Sequence, residues 1–281
     1  MVRKIAVALL SVQMMSAMVS AVAFSADGAR FEVGPYASKI VYEEPGYMKD
    51  SGSMYGINAS ASWRGRYLSM FDSFRIDALA GRGSVDYTSV SSGSMPAVDD
   101  TMIEARALFG REFPRRGELQ YSSYTGFGYR RLTDNSGGRS TTAGKAGYDR
   151  ESQYLYMPVG LEAASKSGSG WSFDGRIEYD IFLKGIQKSA LSQTSSATYT
   201  RTDITNDQYE GYGIKVSARF SRPVSGSASV AFEPFFRYWN IGVSRVDYSR
   251  ETDADGHSSA ESYVEPANHS TEYGLNAMLA F

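Results

Sequence analysis

The sequence predicts an all-β protein, an antiparallel up-and-down transmembrane β-barrel of about ten strands. Segments of about ten residues alternate between apolar and polar side chains, which is the length and period a tilted strand needs to cross hydrocarbon. The links between these segments are alternately short and long. Aromatic residues make up 13% of the chain, with 20 Tyr and 14 Phe. Together with a negative mean hydropathy, this suits aromatic belts around thin apolar bands.

The chain opens with MVRKIAVALLSVQMMSAMVSAVAFSA. Arg3 and Lys4 precede an apolar stretch, and Ala21 with Ala23, or Ala23 with Ser25, offer small-residue cleavage positions. Residues 1–25 are therefore expected to be a secretory signal peptide, and 26–281 one barrel domain. Ser11, Gln13, Ser16 and Ser20 interrupt the run. No later stretch reaches the ~20 apolar residues of a spanning helix.

The first candidate strand is Phe31–Glu43, and the second, Ser53–Trp63, aligns Tyr55, Ile57, Ala59, Ala61 and Trp63. The third, at about 67–87, aligns Phe74, Ile76, Ala78 and Ala80, and the fourth, Thr101–Glu112, aligns Ile103, Ala105, Ala107 and Phe109. Glu118–Leu132 and Glu151–Ala164 follow. The seventh, Trp171–Lys184, places Phe173, Ile177, Tyr179, Ile181 and Leu183 opposite Asp174, Arg176, Glu178, Asp180 and Lys184. Tyr209–Phe220 carries Lys215 and Arg219 on its polar face, and Ala228–Val243 carries Glu233 and Arg237. The last is TEYGLNAMLAF, in which Tyr273, Leu275, Ala277, Leu279 and Phe281 share a face.

Short links are expected at 64–66, 113–117, 165–170 and 221–226, and longer ones at about 44–52, 88–100, 133–150, 185–208 and 244–270. This is the pattern of short periplasmic turns and long external loops. A barrel is required because every backbone N–H and C=O in hydrocarbon must find a partner. Closure also explains how an exported chain without cysteine is held together. Pro35, Pro158 and Pro234 fall inside these strands and cannot donate to a ladder. They are expected at bulges, and if one terminates a strand the count becomes eight.

With the apolar rows facing lipid, Asp174, Arg176, Glu178, Asp180, Lys184, Lys215, Arg219, Glu233 and Arg237 face the lumen. Their mixed signs favour an internal ion-pair network over a selective ion path. The net charge of −2 gives no reason to expect a nucleic-acid partner.

Chemistry-bearing patterns are sparse. His257 and His269 are the histidines of the chain, and adjacent serines are expected by chance in loops this rich in Ser. Glu251, Asp253, Asp255 and Gly256 match the first fixed positions of a calcium loop, but Ser262 stands where the closing Glu belongs. A plain solvated loop is the simpler reading. No catalytic residue, metal site or cofactor is assigned.

The sequence YTGFGYRRLTDNSGG (124–138), YLYMPVGLE (154–162) and the closing YGLNAMLAF resemble small outer-membrane β-barrels of the opacity-protein and porin-like superfamily. The resemblance implies a bacterial outer-membrane location. It also implies that Tyr273, Leu275, Leu279 and Phe281 form a signal read by the barrel-assembly machinery. Such proteins are adhesins, small-solute channels and others, so the fold does not by itself give the activity. The expectation is a non-enzymatic surface protein with a filled polar lumen, whose partners are outer-membrane lipid and an external ligand. The alternatives are a narrow porin-like channel, and a rim-located hydrolase of the omptin or lipid-modifying type.

Overall fold

A computed structural model describes residues 29–166 and 170–281. The expected signal peptide, residues 1–25, lies outside the described residues. Strands β1 (Ala29–Glu44), β2 (Met48–Tyr67), β3 (Phe71–Ser89), β4 (Gly93–Glu112), β5 (Leu119–Asn135), β6 (Arg150–Lys166) and β7 (Ser172–Ser189) follow one another as antiparallel neighbours. A 3-10 turn (Leu191–Thr194) and β8 (Tyr199–Arg201) lead to β9 (Ile204–Gln208) and β10 (Gly211–Ser225). Both β9 and β10 pair with β7, so they act as one interrupted barrel strand.

The chain continues through β11 (Ala228–Ile241), β12 (Asp247–Asp253), β13 (Ser258–Tyr263) and β14 (Asn268–Ala280). Strand β14 pairs with β11 and, from Glu32↔Ala280 to Glu43↔His269, with β1. Among the described residues, ten strands therefore close into an up-and-down barrel. Strands β8, β12 and β13 form a small separate sheet above it.

Two links differ from expectation. Residues 44–52 and 88–100 are mostly strand, and the connections are the tight turns 45–47 and 90–92. Gly46 and Gly93 supply the left-handed backbone there, at φ +82° and +81°. The Ser, Gly and Asp composition reads as loop, yet these strands simply outrun the membrane. Above it the outward face meets water, so the hydrophobic alternation fades while the hydrogen-bonded ladder continues. The outer links 136–149, 190–203 and 242–267 are long. The inner links 68–70, 113–118 and 226–227 are short.

The prolines do not sit at bulges or strand ends. Each breaks the ladder to one neighbour only. The β1–β14 register skips from Val33 to Tyr36 around Pro35, and the β5–β6 register skips from Tyr156 to Val159 around Pro158. The β10–β11 register skips from Phe232 to Phe235 around Pro234. On its other side each proline keeps its place, opposite Ile57, Asp180 and Leu275 respectively.

The outward row is apolar and bare of protein, as for Ile57, Ile103, Phe127, Leu161, Ile177, Val216 and Leu275. So large an exposed apolar surface belongs in lipid. An aromatic ring closes its inner edge, with Phe31–Phe281, Phe74–Phe109 and Phe173–Phe220 centroids 6.3, 4.9 and 5.3 Å apart. Tyrosines close its outer edge, where Tyr179 stacks on Tyr212 at 5.9 Å and Tyr212 meets Tyr238 at 6.3 Å. Tyr55, Tyr129 and Tyr273 continue this girdle. Strands β2 and β5 run on past Tyr55 and Tyr129 to Met48 and Asn135, so their ends stand outside the membrane.

A candidate functional site at the outer mouth, above a closed lumen

The inward row of β11 reads, from the inner end outward, Ala231, Glu233, Phe235, Arg237, Trp239 and Ile241, all buried. This row samples the layers of the lumen. At the inner end, a cavity of about 510 Å³ is lined by Glu32, Glu162, Asp174, Arg176, Lys215, Arg219 and Glu233. Its charges are largely paired. Arg176 lies 2.6 Å from Glu162 and 3.6 Å from Glu233. Arg219 lies 2.7 Å from Glu32 and 3.6 Å from Glu233. Lys215 Nζ lies 5.8 Å from the centroid of the Phe235 ring.

The next layer outward is ionic. Arg237 contacts Glu104 at 2.6 Å and Asp180 at 2.9 Å, and Arg106 contacts Glu178 at 2.5 Å. Arg130 contacts Glu272 at 2.9 Å and Glu104 at 3.7 Å. Tyr156 hydrogen-bonds Glu104, Tyr36 hydrogen-bonds Glu272, and Tyr124 donates to Glu178 at 2.7 Å. The Arg237 guanidinium also lies 4.9 Å from the Trp239 ring and 5.3 Å from that of Tyr156. Arg237, Glu178 and Asp180 are 2%, 1% and 0% exposed, so these charges meet one another rather than water.

Apolar groups stack above the ionic layer. Tyr154, Tyr156, Phe182, Trp239 and Ile241 pack on one side, and Ile40, Met54, Val85, Met95, Val98 and Met102 on the other, where the cluster runs down through Tyr36 to Phe235, their rings stacked at 6.0 Å.

The expected lumen residues thus divide between two layers. Glu178, Asp180 and Arg237 sit in the ionic layer, while Asp174, Arg176, Lys215, Arg219 and Glu233 line the inner cavity. Lys184 joins neither. A register shift at Leu155/Tyr156 precedes it, and it pairs with Asp207 at 3.1 Å beside the Tyr209 ring. Sequence reasoning missed Glu104, Arg106, Arg130 and Glu272, although each occupies the polar face of a recognised strand. The signal was present, since Glu104 and Arg106 alternate with Ile103, Ala105 and Ala107. Tyr273, Leu275, Leu279 and Phe281 all face outward on β14.

The outer mouth holds a second cavity of about 530 Å³, lined among others by Glu44, Tyr87, Asp134, Tyr148, Arg150, Tyr263 and Glu265. Arg150 Nη2 donates to Glu44 at 2.5 Å and Glu265 at 2.8 Å, and Tyr42 donates to the same two carboxylates at 3.1 and 2.9 Å. Below Arg150 a pocket of about 30 Å³ is lined by Asp50, Asp100, Asp134, Arg150, Ser152 and Gln187, among others. Asp100 and Asp134 are direct cross-strand partners. Burial, reinforced by Asp134 and Glu44, pushes Asp50 up to about 7. Burial, with Asp134 and Asp50 adding to it, pushes Asp100 up to about 8. These positions had read as loops at the sequence level, so their inward orientation was invisible.

The histidines lie apart from this mouth. His257 is exposed on the β12–β13 turn, 3.2 Å from Asp253, and His269 lies 3.9 Å from Glu43. Of the calcium-loop pattern only Asp253 and Asp255 come together, beside His257, with ligand atoms within 4.8 Å of one another. Glu251 lies in β12, paired with Arg201 at 2.9 Å, while Asp253 accepts the backbone N–H groups of Asp255 and His257.

No family model matches the chain, and no curated protein sequence matches it. Among solved structures it is similar to the outer membrane protease OmpT from Escherichia coli. The TM-score is 0.61 at 10% identity, over 92% of this chain and 98% of that one. It also matches the translocator domain of autotransporter NalP from Neisseria meningitidis, with TM-score 0.38 and 14% identity over 97% and 96% of the two chains. Neisserial surface protein A matches with TM-score 0.32 and 12% identity over 90% and 98%. The fold likeness and the closed ten-strand barrel agree on the fold of a small outer-membrane β-barrel. At 10% identity the likeness at TM-score 0.61 is one of fold.

Proposed function

We propose that this barrel is a non-enzymatic surface-interaction protein that works at its outer mouth and does not conduct solutes through its lumen. The ionic layer around Arg237 carries this reading. Its charges are desolvated, paired across the lumen and backed by an apolar layer, so opening it would strand several charges in low dielectric. What remains accessible from outside is the cavity of about 530 Å³ and the polar sheet of β8, β12 and β13. A rim hydrolase gains little support from the geometry, because His257 and His269 lie outside the carboxylate-lined mouth. We further propose that the outward row Tyr273, Leu275, Leu279 and Phe281 is what the barrel-assembly machinery reads.

Planar-bilayer recording of the refolded protein tests the closed lumen. No reproducible conductance steps are expected, and regular unitary steps would establish the channel reading instead. Hydrolysis of peptide or lipid substrates that disappears in His257→Ala or His269→Ala would replace the non-enzymatic reading with the hydrolase.

A further inference from the structure

The pocket beneath Arg150 differs from every other charged layer of the barrel. In the ionic layer, carboxylates and guanidinium groups touch one another. Asp50, Asp100 and Asp134 make no ion pair among the described residues, and Arg150 is held by Glu44 and Glu265. Asp50 and Asp100 are 8% and 4% exposed. Asp50 Oδ1, Asp100 Oδ1 and Asp134 Oδ1 each lack a hydrogen-bond partner. All three side chains line the same pocket of about 30 Å³. Asp134 is also hydrogen-bonded to Ser136. A buried carboxylate oxygen without a partner is costly unless the group is protonated or meets a cation.

We propose that Asp50, Asp100 and Asp134 form a binding site for one calcium-type divalent cation, which enters from the outer cavity. The donors are hard oxygens, with Ser152 and Gln187 also lining the pocket. This set suits calcium, which accepts irregular oxygen shells, over softer metals. Arg150 and Asp134 line both the pocket and the outer cavity, which gives the route of entry. Among the described residues, only Asp253, Asp255 and His257 bring ligand atoms within 4.8 Å of one another. The aspartate trio is therefore set wider than a closed cage, and the pocket has room for an ion with about one bridging water. The inference goes beyond the surface-interaction reading and does not depend on it.

Calorimetric titration of calcium chloride into the full chain, refolded in detergent and stripped with chelator, tests the site at mildly alkaline pH. One saturable site per chain is expected. Terbium luminescence excited through tyrosine should report the same site. Asp100→Asn and Asp50→Asn should weaken binding at least about tenfold, as loss of a direct ligand exceeds loss of an outer-shell contact. Asp253→Asn and His257→Ala should leave it unchanged. Each variant is first checked for the folded, heat-shifted gel band, and Asp134→Asn serves where one of the others does not fold. Absence of saturable calcium binding, or binding that persists in the folded aspartate variants and disappears in Asp253→Asn, overturns the proposal.

Discussion

Phe281 and Phe31 exchange both of their backbone hydrogen bonds, at 2.9 and 3.0 Å, and stack their rings at 6.3 Å. This double bond extends the β14–β1 seam to the inner rim, where the barrel closes. Phe281→Ala keeps the backbone bonds and removes the ring contact. It should lower unfolding stability by about 1 kcal/mol, the worth of one aromatic pair. Urea unfolding in micelles followed by tyrosine fluorescence measures it, and an unchanged midpoint would show that the stack contributes nothing.

Arg237 bridges Glu104 and Asp180 with both carboxylates buried. Arg237→Met leaves Asp180 unpaired and Glu104 with only the longer Arg130 contact at 3.7 Å, and should cost about 3–5 kcal/mol, whereas the triple variant with Glu104→Gln and Asp180→Asn should recover most of that loss. The comparison is a set of urea midpoints. If the single and triple variants were equally unstable, charge pairing would not be what holds this layer.

Two glycines are mortises for tyrosine rings. Gly128 faces its cross-strand partner Tyr156, and Gly160 faces Tyr124. A Cβ on either would lie 2.1 Å from the ring. Gly128→Ala should therefore displace the Tyr156 ring and its hydrogen bond to Glu104, at about 1–3 kcal/mol. Near-ultraviolet circular dichroism should lose aromatic signal as well. A variant with native spectrum and native stability would refute the steric account.

The outer mouth should respond to pH in a defined direction. Asp50 and Asp100 are pushed up to about 7 and about 8 from an unfolded value of ~3.9. The folded state then binds more protons than the unfolded state between those values, so stability falls as pH rises from about 4 to about 8. The groups acting on the pair are Glu44 on β1, Asp99 on β4, Asp134 on β5 and Arg150 on β6, while Asp149 acts on Asp134 and Tyr42 lines the same pocket. In chelator, hydrogen-exchange protection factors at the outer ends of β2, β4 and β5, which remove the base-catalysed rise of the intrinsic rate, should fall over that window. The fall should be smaller in Asp100→Asn. Protection factors that stay constant or rise across the window would contradict the assignment.

How much was legible depended on the solvent each face meets. Inside the membrane, lipid on one side and a charged lumen on the other impose a period of two. Hence Ile177, Tyr179 and Ile181 against Glu178 and Asp180 could be read directly. Above the tyrosine girdle both faces are polar. The same period carries no hydrophobic contrast there, so Asp50, Asp100 and Asp134 looked like loop residues.

By itself, the sequence determined a closed antiparallel barrel of about ten strands, with eight as the alternative, and which face of each strand turns inward within the membrane, Lys184 excepted, because backbone satisfaction in hydrocarbon allows little else. Only the tertiary structure decided which charges meet. Glu104 and Arg237 are 133 residues apart in the chain, and their contact follows from register and barrel closure. The same closure gathers three carboxylates from β2, β4 and β5 beneath Arg150. No local pattern could foretell that, since inter-strand geometry, not spacing along the chain, sets the distance between them.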